Sequence, residues 1–188
     1  VVSRRDGAAN PAQATTAFRR KAEQLGATVR EGMAAGNIRY DDGLWHVDVG
    51  PETFAAPVLV NAAVAWAGKI AADLGEPVPV ETVAPMLMIT SRVPHFIDPV
   101  VILRGRKLSF KQFKNGTVLI GGGHLATPYQ DRNETVLDWK SLAISARTVF
   151  ELFPVMRSAT IVRAWAGIEA KMKDDIPVFG PSSRHKGL

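Results

Sequence analysis

An Asn-Gly pair at positions 115 and 116 separates two runs with strand character, residues 108–113 and 117–121. This pair is the strongest short hairpin signal, because the tight turn that matches strand twist needs positive φ at both central residues. Any fold of this chain must therefore hold antiparallel sheet near its middle. Along the first run Leu108, Phe110 and Gln112 share one face. Gln112 puts an amide on an otherwise apolar face. One reading is a hydrogen-bonded sheet residue or a strand-end position open to solvent. The sharper reading is a pocket-lining group in a sheet roof over a ligand, which makes Gln112 a candidate substrate-binding residue.

The hairpin belongs to a strand-rich region, residues 78–122, punctuated by Pro79, Pro85, Pro94 and Pro99. Further strands are expected at 80–90 and 100–104. Upstream, 37–40 and 44–49 flank Asp41, Asp42 and Gly43, a second hairpin. There Trp45, Val47 and Val49 alternate with His46 and Asp48, so His46 reads as an exposed strand residue. Residues 27–30, the buried apolar run 57–61 (PVLVN) and 159–165 read as additional strands.

Three helical patterns accompany the strands. Residues 11–25 are capped by Asn10, start on Pro11 and place Ala14, Phe18, Ala22 and Leu25 on one face. Ala63, Ala67, Ile70 and Leu74 mark a second helix. The longest spans 134–153, capped by Asn133 and stopped by Pro154. Its stripe of Val136, Trp139, Ala143, Ala146, Phe150 and Phe153 is expected to pack on the sheet. The class is α+β: an antiparallel-rich mixed sheet with flanking helices.

Composition excludes several functions. There is no cysteine, so disulfides, thiolate zinc sites and cysteine nucleophiles are out. With 188 residues, 46% of them hydrophobic and 22% charged, the chain can build a sizeable core and is not disordered. No apolar stretch approaches the ~18 residues of a membrane span. The net charge of +5 comes from dispersed basic residues, some beside acids such as Glu23, so no nucleic-acid partner is expected. Gly121, Gly122 and Gly123 match no phosphate-loop pattern and read as a permissive strand end. His124 lacks a second ligand at metal spacing, and no metal site is expected. The chain opens VVSRRDG, with neither signal peptide nor initiator Met. It reads as a fragment or processed chain, with a cytoplasmic location expected.

Three segments carry a resemblance, the first of them in two parts joined by the 11–25 helix. They are 6–11 (DGAANP), 26–32 (GATVREG), 60–67 (VNAAVAWA) and 163–169 (RAWAGIE), the last followed by Asp174 and 177–180 (PVFG). In order and spacing they resemble the FAD-dependent amine and amino-acid oxidoreductases: the D-amino acid oxidase, glycine oxidase and sarcosine oxidase superfamily. The similarity is strongest to the sarcosine oxidase β-subunit-like branch. The resemblance implies hydride transfer to FAD from a substrate C–H beside nitrogen, followed by hydrolysis of the imine. The implied substrate is a small amine or amino acid of the sarcosine, glycine, D-amino acid or opine type. Partner subunits of a hetero-oligomer are implied for that branch. The alternative is a non-catalytic binding or assembly subunit that reuses the fold.

Full-length members begin with a G-x-G-x-x-G strand–turn and end with a glycine-rich flavin loop. Neither is present here. The resemblance therefore implies the middle of a longer protein. Residues 1–75 would be part of the FAD-binding domain, 76–165 the substrate-binding sheet, and 166–188 a return segment. FAD is implied for the full-length parent, and the fragment alone is expected to lack stoichiometric FAD and activity. Ala35, Ala63, Val64 and Gly167 take the cofactor-binding places. Val64 stands where the family has Gly, and is strained if the position needs positive φ. Glu169 takes the catalytic and substrate-binding place, where glycine-oxidase-like members have Arg. It either meets a substrate amine or is structural.

Overall fold

The computed structural model describes Ser3, Arg5 and residues 7–188; Asp6 of the DGAANP segment lies outside them. The chain divides into two compact units, residues 1–59 and 60–188.

The first unit holds helix α1 (Pro11–Gln24) and a three-stranded antiparallel sheet, β1 (Gly36–Asp41), β2 (Leu44–Val49) and β3 (Glu52–Ala56). Asn10 caps α1 by accepting from the Gln13 N–H at 3.2 Å. Asp42 and Gly43 both take positive φ, 47° and 79°, as the expected hairpin turn demands. Asp48 accepts hydrogen bonds from Asn37, Thr53 and Arg39, which hold its carboxyl down at about 2. Two expected strands are absent. Residues 27–30 form no ladder, and 57–61 is neither strand nor buried, with Val58 and Val60 exposed. A strand needs a neighbouring strand for its N–H and C=O groups, and among the described residues these runs have no ladder partner.

The second unit is built on a five-stranded sheet in the order β11-β5-β8-β7-β6, with every pair antiparallel. Its strands are β5 (Met86–Thr90), β6 (Val101–Ile102), β7 (Ser109–Gln112), β8 (Val118–Gly121) and β11 (Ile161–Ala166). The Asn-Gly hairpin is β7–β8. Asn115 Oδ1 accepts from the Thr117 N–H at 3.1 Å, and Gly116 has φ +90°. Beyond β8 a Cβ on Gly122 would lie 2.4 Å from the Leu108 backbone, so only glycine fits there. Two ribbons complete the unit: β4 (Glu81–Val83) with β12 (Glu169–Lys171), and β9 (Thr127–Tyr129) with β10 (Glu134–Val136). The expected 80–90 strand is thus broken at Ala84–Pro85, where proline has no N–H to donate.

One face of the large sheet is core. Met86, Met88, Phe110, Val118 and Ile120 are buried there with Leu142, Val149 and Met156. The first two of those three come from helix α3 (Trp139–Leu152). This helix starts five residues later than its sequence pattern suggests. Asp138, not Asn133, is the cap, accepting from the N–H groups of Lys140 (3.0 Å) and Ser141 (3.3 Å). The 134–136 stretch instead finds a ladder partner in β9. The buried face is also rotated: Leu142, Ser145, Thr148 and Val149 point inward, while Trp139 and Ala143 are exposed. Ala146, Phe150 and Phe153 do pack against the core. The rotation places hydroxyls inside because they are satisfied: Thr148 donates to the Ile144 carbonyl and accepts from Arg106.

Gln112 lies on the core face, only 2% exposed. Its Oε1 accepts from the Phe96 N–H at 2.9 Å, and its Nε2 donates to the carbonyls of Pro94 (3.1 Å) and Val93 (3.3 Å). The amide clamps the loop after β5 and is not turned toward a ligand, so the hydrogen-bonded reading describes it. Replacing Gln112 with Leu strands several buried backbone groups. It is expected to lower the stability of the chain by about 2–4 kcal/mol in urea unfolding.

Candidate functional site

The other face of the sheet is set by the same register. Trp165 lies opposite Leu87, Arg163 opposite Ile89, Ile89 and Lys111 opposite Leu119, and Ser109 opposite Gly121. Leu87, Ile89, Leu119, Lys111 and Trp165 are half-buried and Arg163 is exposed. An apolar patch with cationic margins thus stays open to solvent. Gly121 keeps the patch smooth, because a Cβ there would come 2.6 Å from Leu87 Cδ2. On β7 it is Ser109 and Lys111 that reach this face, whereas Leu108, Phe110 and Gln112 are buried on the other.

The patch continues into the β4–β12 ribbon without slipping. Trp165 pairs with Leu87 and Ala166 with Met86; the Gly167 N–H then donates to the Pro85 carbonyl at 3.3 Å; Glu169 pairs with Val83 and Lys171 with Glu81. Alternation along the strand puts Arg163, Trp165, Gly167 and Glu169 on one side. A Cβ at Gly167 would meet nothing within 4 Å, so the interval between Trp165 and Glu169 is open. Glu169 is exposed and forms no ion pair among the described residues.

Beside β12 stands a 3-10 turn, Val64–Trp66, that leads into helix α2 (Ala67–Asp73). Val64 has φ +49°, the left-handed region that a β-branched residue avoids. The turn is pinned on three sides. Gln130 Nε2 donates to the Ala65 carbonyl at 2.6 Å, the Trp66 indole N–H donates to the Gln130 carbonyl at 3.2 Å, and Asn61 Nδ2 donates to the Ala67 carbonyl at 3.0 Å. The Thr82 hydroxyl donates to Gln130 Oε1, tying the same clamp to β4. At the far end of α2, Glu76 accepts from the hydroxyls of Ser182 and Ser183, which pull its carboxyl down to about 2. Arg184 and His185 donate to the Gly75 and Leu74 carbonyls, completing the helix end.

The structure therefore brings Ala63, Val64, Gly167 and Glu169 to neighbouring elements of one unit. Ala35 is an exposed residue of the first unit, before β1. Sequence reasoning missed Leu87, Ile89, Leu119 and Lys111, although strand alternation around the Asn-Gly turn contained the signal. It also missed Gln130, whose role depends on contacts distant in sequence. A shallow depression of about 420 Å³ lies at the β6 edge, lined by Leu103, Arg106, Lys107 and Gly122 among others; none of the expected site residues borders it. Among the described residues no His, Asp and Glu cluster forms a metal site, and no helix is long and apolar enough to cross a membrane.

The model of the family of FAD-dependent oxidoreductases known as DAO matches residues 1–188, and the chain belongs to that family. Glycine oxidase of Pseudomonas putida is 32% identical over 134 residues, 71% of this chain and 35% of that protein. Hydrogen cyanide synthase subunit HcnC of Pseudomonas aeruginosa is 24% identical over 85% of this chain and 35% of its own length. L-proline dehydrogenase from P. horikoshii superposes with a TM-score of 0.85 at 26% identity, covering 95% of this chain and 48% of that one. The chain thus spans between about a third and a half of the length of these relatives.

The strain at Val64 is testable. Left-handed φ costs a non-glycine residue roughly 1–2 kcal/mol, and glycine's extra unfolded-state freedom offsets about 0.5–1 kcal/mol. Val64→Gly is expected to stabilise the chain by about 0.5–1 kcal/mol in urea unfolding.

Proposed function

We propose that this chain is the substrate-facing part of a flavin-dependent oxidoreductase that dehydrogenates a C–N bond of an amine or amino acid. The observation that supports it most is the open sheet face, with Trp165 and Arg163, running in unbroken register to Glu169. A solvent-exposed apolar wall with a few polar groups at its margin is what a small substrate needs for burial and orientation. In this reading 76–165 supply the wall, 1–75 contribute to the FAD-binding domain, and 166–188 return toward it.

Ala63, Val64 and Gly167 of the second unit would hold the cofactor. They fit a flat ligand in two respects. The Val64 turn keeps positive φ even with valine, and the space above Gly167 is empty. When bound, FAD supplies the acceptor for the hydride leaving the carbon next to nitrogen. The Glu169 carboxylate accepts a hydrogen bond from the substrate nitrogen, orients it and takes the proton that an ammonium releases before hydride leaves the neighbouring carbon, while Leu87, Ile89 and Leu119 exclude water from that carbon.

In the full-length, FAD-loaded protein Glu169→Gln is expected to lower kcat/KM for amine substrates by about 1.5–3 kcal/mol, the worth of a charge-assisted hydrogen bond. FAD content, read by flavin absorbance, should not change. Unchanged kcat/KM across a panel of amines and amino acids would reduce Glu169 to a structural residue.

A further inference from the structure

Among the described residues, five that are not glycine take positive φ: Asn37, Asp42, Val64, Asn133 and Asp175. Four of them are Asn or Asp, whose short polar side chains visit the left-handed region at little cost. Val64 is β-branched, so at φ +49° it is the outlier. Its side chain is 56% exposed, so packing around the valine does not hold the backbone there. The hold must come from groups bonded to the turn.

Gln130 is placed to supply it from 64 residues along the chain. Its Nε2 donates to the carbonyl of Ala65, the residue directly after Val64, at 2.6 Å. Its own backbone carbonyl accepts from the Trp66 indole N–H at 3.2 Å. Its Oε1 accepts from the Thr82 hydroxyl at 3.2 Å. Thr82 precedes Val83, the residue paired with Glu169. A single side-chain amide therefore joins the left-handed turn to the ribbon that carries Glu169.

We infer that Gln130 is a positioning residue for the cofactor: it holds Val64 in left-handed backbone, and FAD affinity depends on that hold. This rests on the reading of Val64 as a cofactor-binding position. Left-handed backbone is disfavoured roughly 5- to 30-fold for a residue with a Cβ. Once the amide is gone, valine relaxes and the competent fraction of the protein falls by that factor. Apparent affinity for the cofactor falls in proportion. Glycine populates positive φ about as readily as negative, so at the same position it loses only about 2-fold.

The test uses the full-length protein stripped of cofactor, with FAD titrated in and binding read by quenching of flavin fluorescence. Gln130→Met keeps the length of the side chain and removes its amide. It is expected to raise the FAD Kd roughly 5- to 30-fold, but no more than about 2-fold when introduced into the Val64→Gly background. Gln130→Glu keeps the acceptor for Thr82, removes the donor to Ala65 and should behave as Gln130→Met does. A side chain needed only for folding weakens binding by the same factor in both backgrounds, and that result overturns the inference. Urea unfolding of wild type, the two single variants and the double variant, all without FAD, reads the hold on Val64 alone. Val64→Gly should raise the midpoint of wild type and fail to raise that of Gln130→Met, where valine has already relaxed. Equal shifts in the two backgrounds show that Gln130 does not hold Val64, and overturn the inference whatever FAD does. Unequal shifts with an unchanged Kd, or a wild type that binds no FAD, show instead that the cofactor reading of Val64 has failed, and the inference falls with it.

Discussion

The register between residues 81–89 and 163–171 is the constraint on which the rest of the second unit depends. It pairs Ala164 with Met88 and Ala166 with Met86 on the core side, and Trp165 with Leu87 and Arg163 with Ile89 on the open side. Side chains alternate with a period of two, so a slip of one residue would drive Arg163 and Trp165 into the core. The core leaves no room for them. Met86, Met88 and Ile120 are nearly fully buried, and the small Ala164 and Ala166 are what their packing admits. A charged guanidinium there would lack a partner, which makes the alternative register costly.

The same pairing ties the sheet to the Val64 turn. It continues past Pro85 and Gly167 into β4 and β12, and β12 lies beside the strained Val64–Trp66 turn. Gln130 fixes that turn from two sides while Thr82 ties Gln130 to β4. Strain of this kind persists only where the surroundings over-determine the backbone. The clamp supplies that determination, so a valine can hold a conformation that suits glycine. A glycine-lined interval, a carboxylate and a positive-φ turn are thereby set on adjoining elements by hydrogen bonds among residues far apart in the sequence.

Local signals predicted local structure well. The Asp42-Gly43 turn, the hairpin at Asn115-Gly116, the Asn10 cap and the strand preceding Gly167 all formed, because each is decided by residues a few positions apart; at the second hairpin only Gly116 takes positive φ, and its N–H closes the turn on the Phe113 carbonyl. The failures share a cause. Residues 27–30 and 57–61 have strand composition but no ladder partner among the described residues, and pairing is a tertiary property. Helix α3 lost its first turn because Asp138 outcompeted Asn133 as the cap while 134–136 gained a ladder. Of the site, the family-type positions Val64, Gly167 and Glu169 were visible as motifs. The wall was not. Gln112 drew notice as the polar residue of its strand, yet its amide serves the loop at 93–97, and the residues facing outward are its neighbours in the alternation.

The central claim is that the open face of the sheet, rather than the helix-covered face or the β6 edge, is the wall against which substrate lies. A crystal structure of the full-length, FAD-loaded protein with a bound, unreactive amino-acid analogue measures this directly. The account predicts apolar atoms of the analogue in van der Waals contact, about 3.5–4.0 Å, with at least two of Leu87, Ile89 and Leu119. An analogue bound elsewhere, with those three side chains covered by other protein segments, would contradict it.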